Sequence, residues 1–163
     1  MADDTYPMTP AGLERLRAEL KQIKEIDRPA NVKEIEEALE HGDLRENAEY
    51  HAAKERQAEL DARMRWCEYR IGRALVIDPA TLQEKKVAFG ATLTVLDLDA
   101  DEELNYVIVG EHEAEVERGR ISIHSPIARA LLGKVVGDVV TLRLPKGDRE
   151  LEVVKVEYKA IDP

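Results

Sequence analysis

Tyr50, Ala53, Gln57, Leu60, Met64, Cys67 and Ile71 recur at intervals of 3, 4, 3, 4, 3 and 4 residues. A stripe of this kind follows one face of a helix and needs a second helix to cover it. The partner lies upstream. Leu13, Leu16, Leu20 and Ile23 are spaced 3, 4 and 3, and Val32, Ile35 and Leu39 resume the stripe after a register change near Pro29. Proline removes one backbone donor, so a bend is expected there. If the chain reverses near Gly42, Ile35 faces Tyr50, Val32 faces Ala53 and Leu20 faces Met64. The expected structure is an antiparallel α-helical coiled coil whose arms, of about 30 residues each, are on the order of 45 Å long. Such a rod is too long for the rest of the chain to wrap, so its far end is expected to project into solvent.

From about Ala80 the period changes from helical to alternating. "ATLTVLDLD", "LNYVIVG", "RISIHS", "DVVTLRL" and "LEVVKVEY" read as strands, and "LPKGDRELEVV" reads as a hairpin turning at Lys146-Gly147-Asp148. Thr9-Pro10 and Ser125-Pro126 are both cap-then-proline starts, the second opening a short helix, "PIARALLG", closed by Gly133. The fold class is therefore α+β, with the coiled coil over residues 1–78 and a globular α+β domain over 79–163. Val76 to Lys86 reads as the connector.

Charge narrows the function classes. Thirty-four acidic side chains against 24 basic ones give a formal net charge of −10, which argues against broad attraction to nucleic acid. Cys67 is the single cysteine, which rules out an intrachain disulfide and a zinc ribbon. "MADDTYPMTP" lacks an apolar export segment, and no run reaches the ~18 apolar residues of a membrane helix. The expected location is the cytoplasm.

The bend itself is unusually acidic. Between Glu34 and Glu49 stand seven acids and one base, Arg45. Part of this has a structural reading: Asp43 followed by Glu46 is a capping-box-like pattern, and Gly42 suits a helix end. The remainder does not. Glu34, Glu36, Glu37 and Glu40 crowd the negative end of the first helix dipole, and Leu44 is apolar at an exposed turn. Carboxylates gathered at the end of a rod suit delivery to a cation held elsewhere. Two carboxylates alone hold Mg²⁺ weakly, so further ligands would have to come from a partner.

"HGDLRENAEYHAAKE" closely resembles the tip motif of the bacterial Gre transcript-cleavage factors. "PMTPAGLERLRAEL", "VIDP", "FGATLTVLDLDADEE", "ISIHSPIARALLGK" and "LEVVKVEY" extend the resemblance over nearly the whole chain. It implies an FKBP-like C-terminal domain that binds bacterial RNA polymerase, and a coiled coil that enters the polymerase secondary channel with its tip, residues 41–47, near the active centre. The implied role is stimulation of cleavage at the nascent RNA 3′ end of backtracked complexes. The hydrolysis would belong to the polymerase, and this chain would not be an enzyme. No cofactor is expected to be tightly bound. Asp43 and Glu46 match the family's tip acids, and would complete a second Mg²⁺ site shared with the polymerase and help place the attacking water.

The resemblance also points to Lys54, with Arg56 nearby, as RNA-contacting bases, and to Ser125 and Pro126 as polymerase-binding residues. Each has a plainer reading, a solvated helix face for the first pair and a helix cap for the second. Cys67 reads as buried packing, and His41 and His51 lack a third ligand of suitable spacing. "GEHEAEVE", Gly110 to Glu117, reads as a solvated acidic loop. The chain is expected to be a monomer without membrane contact. Two alternatives stay open, a channel-occupying inhibitor on the same scaffold and a prolyl isomerase. The second is poorly served by the single phenylalanine, Phe89, and the absence of tryptophan beyond residue 80.

Overall fold

A computed structural model describes residues 4–42 and 47–163. The chain divides into two compact units, Glu14–Arg73 and a second formed by the segment ending at Leu13 together with Ala74–Pro163. These bounds differ from the 78/79 division expected from sequence. The reason is a short parallel pairing: β1 (Tyr6–Met8) lies beside β2 (Ala74–Val76), with Tyr6 opposite Ala74 and Met8 opposite Val76. Three residues per strand are too few to show a period, so neither strand was expected.

The helical unit contains most of α1 (Pro10–Gln22), a π-helical turn (Ile23–Asp27), α2 (Arg28–Leu39) and α3 (Ala48–Gly72). α2 and α3 pack against each other in antiparallel sense. Lys24 pairs with Glu68 at 3.3 Å, Arg28 with Asp61 at 3.5 Å, and the Asn31 amide donates to the Ala53 carbonyl at 2.9 Å. On α3 the expected seam is the covered face. Ala53, Leu60 and Cys67, seven residues apart, are buried, and Tyr50, Gln57, Met64 and Ile71 are half-buried between them.

On α2 the expected seam holds at the half-buried Ile35 and is displaced by one residue at its other two positions. Val32 is 48% exposed and Leu39 45%, whereas Asn31 and Ala38 are buried at 3% and 1%. A π-turn precedes these positions. Arg28 N–H bonds back five residues to the Ile23 carbonyl, which rotates the following helix relative to a continuous α-helical count. Pro29, in the first turn of α2, has no N–H to give to an α-helical ladder, and the widened turn accommodates it. The buried position falls on an asparagine whose amide is satisfied by hydrogen bonding across the helix pair.

The globular unit is built on a five-stranded sheet in the order β5-β4-β3-β7-β6. The strands are β3 (Thr92–Asp97), β4 (Glu102–Val109), β5 (Arg120–Ser122), β6 (Val139–Leu144) and β7 (Gly147–Glu157). Only β4 and β5 run parallel. All five coincide with expected strands. β3 alternates strictly, burying Leu93, Val95 and Asp97. The β6–β7 hairpin pairs Leu144 with Gly147, so its turn is Pro145-Lys146, earlier than expected. The core combines Leu93, Val95, Ile108, Val140, Leu151 and Val153 of the sheet with Ala128 and Leu131 of α4 (Pro126–Leu131).

Asp97 is a charged member of this interior. Its carboxylate accepts from Asp99 N–H at 3.0 Å, Ala100 N–H at 3.1 Å and Arg149 at 2.5 Å. The Ala100 amide, against the opposing effect of burial, and then Arg149 and the Asp99 amide hold its pKa below the usual carboxylate range.

Two outcomes follow for equilibrium urea unfolding. Asn31→Ala should cost about 1–2 kcal/mol, since it removes a buried hydrogen bond, whereas Val32→Ala should stay within about 0.5 kcal/mol. The reverse order would restore the seam read from sequence. Asp97 has a depressed folded-state pKa, so its stabilisation is complete above its unfolded value of about 3.9 and drains as pH falls through the folded one. Asp97→Asn should accordingly flatten the loss of stability below about pH 4, and an unchanged acid limb would exclude this carboxylate as a contributor.

Candidate functional site at the helical bend

α2 ends in tightened turns: Glu40 N–H bonds the Glu37 carbonyl at 3.2 Å, His41 the Ala38 carbonyl at 3.1 Å and Gly42 the Leu39 carbonyl at 3.2 Å. Gly42 has φ +92°, a conformation that L side chains rarely adopt, which accounts for glycine at this point. The sequence placed Asp43 and Glu46 next; both lie outside the described residues.

The chain re-enters the described region at Asn47, the N-cap of α3. Its backbone is extended and its Oδ1 accepts from Tyr50 N–H at 3.0 Å. Its Nδ2 donates to the Ala38 carbonyl of α2 at 2.6 Å. One side chain thus satisfies an orphan donor at the start of α3 and an acceptor near the end of α2. The N-cap of α3 is thus Asn47, while the capping-box-like pairing of Asp43 and Glu46 lies outside the described residues. The bend is therefore pinned from both sides by a residue that is not one of its acids.

Carboxylates dominate the described surface beside it. Glu34, Glu37 and Glu49 line a shallow cleft of about 440 Å³ with Ala52, Ala53 and Arg56. His41 Nε2 lies 3.3 Å from Glu49. Lys54 Nζ donates to Gln57 at 2.7 Å and Arg56 lies 3.9 Å from Glu59, both along their own helix and both exposed. Exposed pairs of this kind are worth little, so either base can turn to an outside anion at small cost. Among the described residues no cluster of three or more His, Cys, Asp or Glu side chains could hold a metal ion. Among them, too, no helix is long and apolar enough to cross a membrane.

In the globular unit Ser125 caps α4, its Oγ accepting from Ala128 N–H at 3.2 Å, and Pro126 fills the first helical position. The capping reading of this pair is thus realised. Ile127 continues into a cavity of about 570 Å³ that it shares with Leu104, Tyr106, Leu142, Asp97 and Arg149. Tyr106 is the one aromatic in that lining. Tyr158 is committed elsewhere, donating to the Lys86 carbonyl at 2.6 Å and accepting from Ala88 N–H at 2.9 Å.

The segment read as a solvated acidic loop is not one throughout. Glu113 is 4% exposed and accepts from Thr9 and Gly110. Its burial left no sequence signal, because Thr9, which supplies two of its three donors, lies 104 residues away.

Asn47→Ala should destabilise the helical unit by about 1 kcal/mol and speed amide exchange at Tyr50. Unchanged exchange at Tyr50 would remove Asn47 from the capping role.

The geometry can be set beside known proteins. Residues 6–76 match the family profile "Transcription elongation factor, N-terminal", and residues 82–158 match "Transcription elongation factor, GreA/GreB, C-term". Transcription elongation factor GreA of Francisella tularensis subsp. novicida (strain U112) is 51% identical over 160 residues, covering 98% of this chain and all of the relative. GreA of Francisella tularensis subsp. holarctica (strain OSU18) is equally similar. Among solved structures, Gfh1 of Thermus thermophilus aligns with 94% of this chain and 99% of its own at 31% identity, with a TM-score of 0.44. With both halves matched and half of all positions identical over nearly its full length, the chain belongs to the GreA/GreB family of transcription elongation factors.

Proposed function

We propose that this protein rescues arrested bacterial RNA polymerase by stimulating cleavage of the backtracked RNA 3′ end. The observation that carries the reading is an acidic bend between two antiparallel helices, closed by Asn47, in a chain matched along its length to elongation factors. In this reading the helix pair is a coiled coil that enters the secondary channel. An FKBP-like globular domain docks on the polymerase through the Ser125-Pro126 end of α4. The factor acts as a monomer and has no nuclease of its own.

The donor chemistry fits a shared magnesium site. Asp43 and Glu46 offer hard oxygen ligands, and because two carboxylates alone hold Mg²⁺ weakly, a partner would complete the site. A magnesium ion bound there would supply Lewis-acid activation of water and neutralise charge on the scissile phosphate. Asp43 and Glu46 would bind and orient, and Lys54 and Arg56 would hold the RNA phosphates. Asn47 would keep the bend closed while these groups engage. Retention of both acids favours stimulation over the inhibitor reading. A cavity lining with a single aromatic disfavours the isomerase.

The test is a stalled, backtracked polymerase supplied with this protein and Mg²⁺, with release of short RNA followed in time. Asp43→Asn and Glu46→Gln should each lower stimulated cleavage by about 100-fold or more while still competing with wild type for polymerase. Full activity in both variants would reject the assigned chemistry, and arrest deepened by wild type would favour the inhibitor.

A further inference from the structure

The last turns of α3 reverse the acidic character of the chain. Between Arg63 and Arg73 stand four arginines and one acid, Glu68, in a protein whose formal net charge is −10. Glu68 is matched by Lys24 at 3.3 Å, so it does not cancel the positive charge of its own segment. The same stretch holds Trp66, the one tryptophan of the chain, and Tyr69, which is 44% exposed. Basic and aromatic side chains are thus interleaved within a few turns of one helix, and all of them belong to the helical unit.

Spacing sets them in a row. Arg56, Glu59, Arg63, Trp66, Arg70 and Arg73 follow at 3, 4, 3, 4 and 3 residues, which puts them on one face beside the buried seam. At 1.5 Å per residue this row is on the order of 25 Å long. Its members touch. The Arg63 guanidinium carbon lies 4.0 Å from the centre of the Trp66 ring, that of Arg70 lies 4.7 Å from the same ring, and that of Arg73 lies 3.8 Å from the Tyr69 ring. The Glu19 carboxylate fixes Arg63 by accepting from two of its nitrogens, the Nη2 bond being 2.9 Å. Arg63, Arg65 and Arg73 are exposed, and Trp66 is half-buried.

Planar cations set against aromatic rings suit a single-stranded polynucleotide. Guanidinium forks meet phosphates, and the flat faces of ring and guanidinium receive unstacked bases. A duplex hides its base faces and an acidic polypeptide has none, so with either partner the aromatic members would be idle. Exposed cation–π pairs contribute little to a helix, so these guanidiniums can move aside for a base at small cost.

We propose that this face of α3 binds single-stranded RNA, with Arg65, Arg70 and Arg73 on phosphates and Trp66 and Tyr69 receiving bases. Membership of a transcription elongation family makes the transcript the single-stranded polymer at hand. The inference goes beyond the cleavage reading and does not need it, because binding is measured on the free protein.

Trp66 reports on its own surface, since no other tryptophan emits. Full-length protein titrated at low salt with an unstructured 12-nucleotide RNA should show saturable quenching of that emission. Arg65→Ala and Arg73→Ala should each weaken binding by about two- to fivefold and make the fall of log affinity with log salt shallower by about 0.7. Arg70→Lys keeps the charge and loses the plane, so it should weaken binding with the salt slope unchanged. Trp66→Ala, followed by anisotropy of end-labelled RNA, should weaken it by roughly 5- to 100-fold with helix content by circular dichroism retained. Should that variant lose helix, the three arginine variants decide. Emission that RNA leaves unchanged would overturn the proposal, as would full affinity in Arg65→Ala and Arg73→Ala. Equal binding of an RNA duplex or of polyglutamate would reduce the face to charge alone and overturn it too. Tighter binding of DNA of the same sequence would take the face away from RNA.

Discussion

The mutual burial of one stripe on α2 and one on α3 is the constraint from which the bend's properties follow. Neither helix presents enough apolar surface to be stable alone in water, and isolated helices of this length are marginal even with favourable sequences. The buried α3 positions are Ala53, Leu60 and Cys67, and the buried α2 positions are Asn31 and Ala38. Several of these are small, which permits close approach. It also lets Asn31 reach the Ala53 carbonyl and Asn47 the Ala38 carbonyl. Burial of Cys67, aided by the nearby Glu19 carboxylate, raises its thiol pKa and keeps it an inert packing residue.

That pairing is what tolerates the concentration of acid beside the bend. Like charges near a helix C-terminus oppose the dipole and one another, and an unpaired helix would fray there. Asn47 supplies a tie between the two helices from outside the acidic set.

Two buried carboxylates in the globular unit follow a common rule. Asp97 and Glu113 each accept two backbone amides and one side-chain donor, so each exchanges hydration for fixed donors. Asp97 closes the turn after β3 and ties it to β7 through Arg149. Glu113 ties the turn after β4 to the start of α1. Neither could be recognised in a chain with 34 acids, since the side-chain donors, Arg149 to Asp97 and Thr9 to Glu113, come from segments distant in sequence.

Legibility followed the range of the interactions. The α3 seam, the five sheet strands and the caps at Thr9 and Ser125 are set by spacing or by neighbours within one turn, and they could be read directly. The α2 seam was misread at Val32 and Leu39 because apolar residue type was followed there, whereas the packed pair buries Asn31, whose amide finds the Ala53 carbonyl, and Ala38. β1 and β2 escaped notice because they exist only through each other. The candidate site was legible as an acidic motif between helices, and its closure by Asn47 was not, because that depends on where α3 starts.

The amino-acid sequence by itself determined the two periods, the chain reversal near Gly42 and the acidic character of the bend, since each is carried by residue type and local spacing. Only the tertiary structure decided that Asn31 replaces Val32 in the helix interface, that Asn47 closes the bend and that Glu113 holds the first turn of α1. Those outcomes depend on which distant donors and acceptors are brought within hydrogen-bonding reach once water is excluded, and no local pattern encodes that.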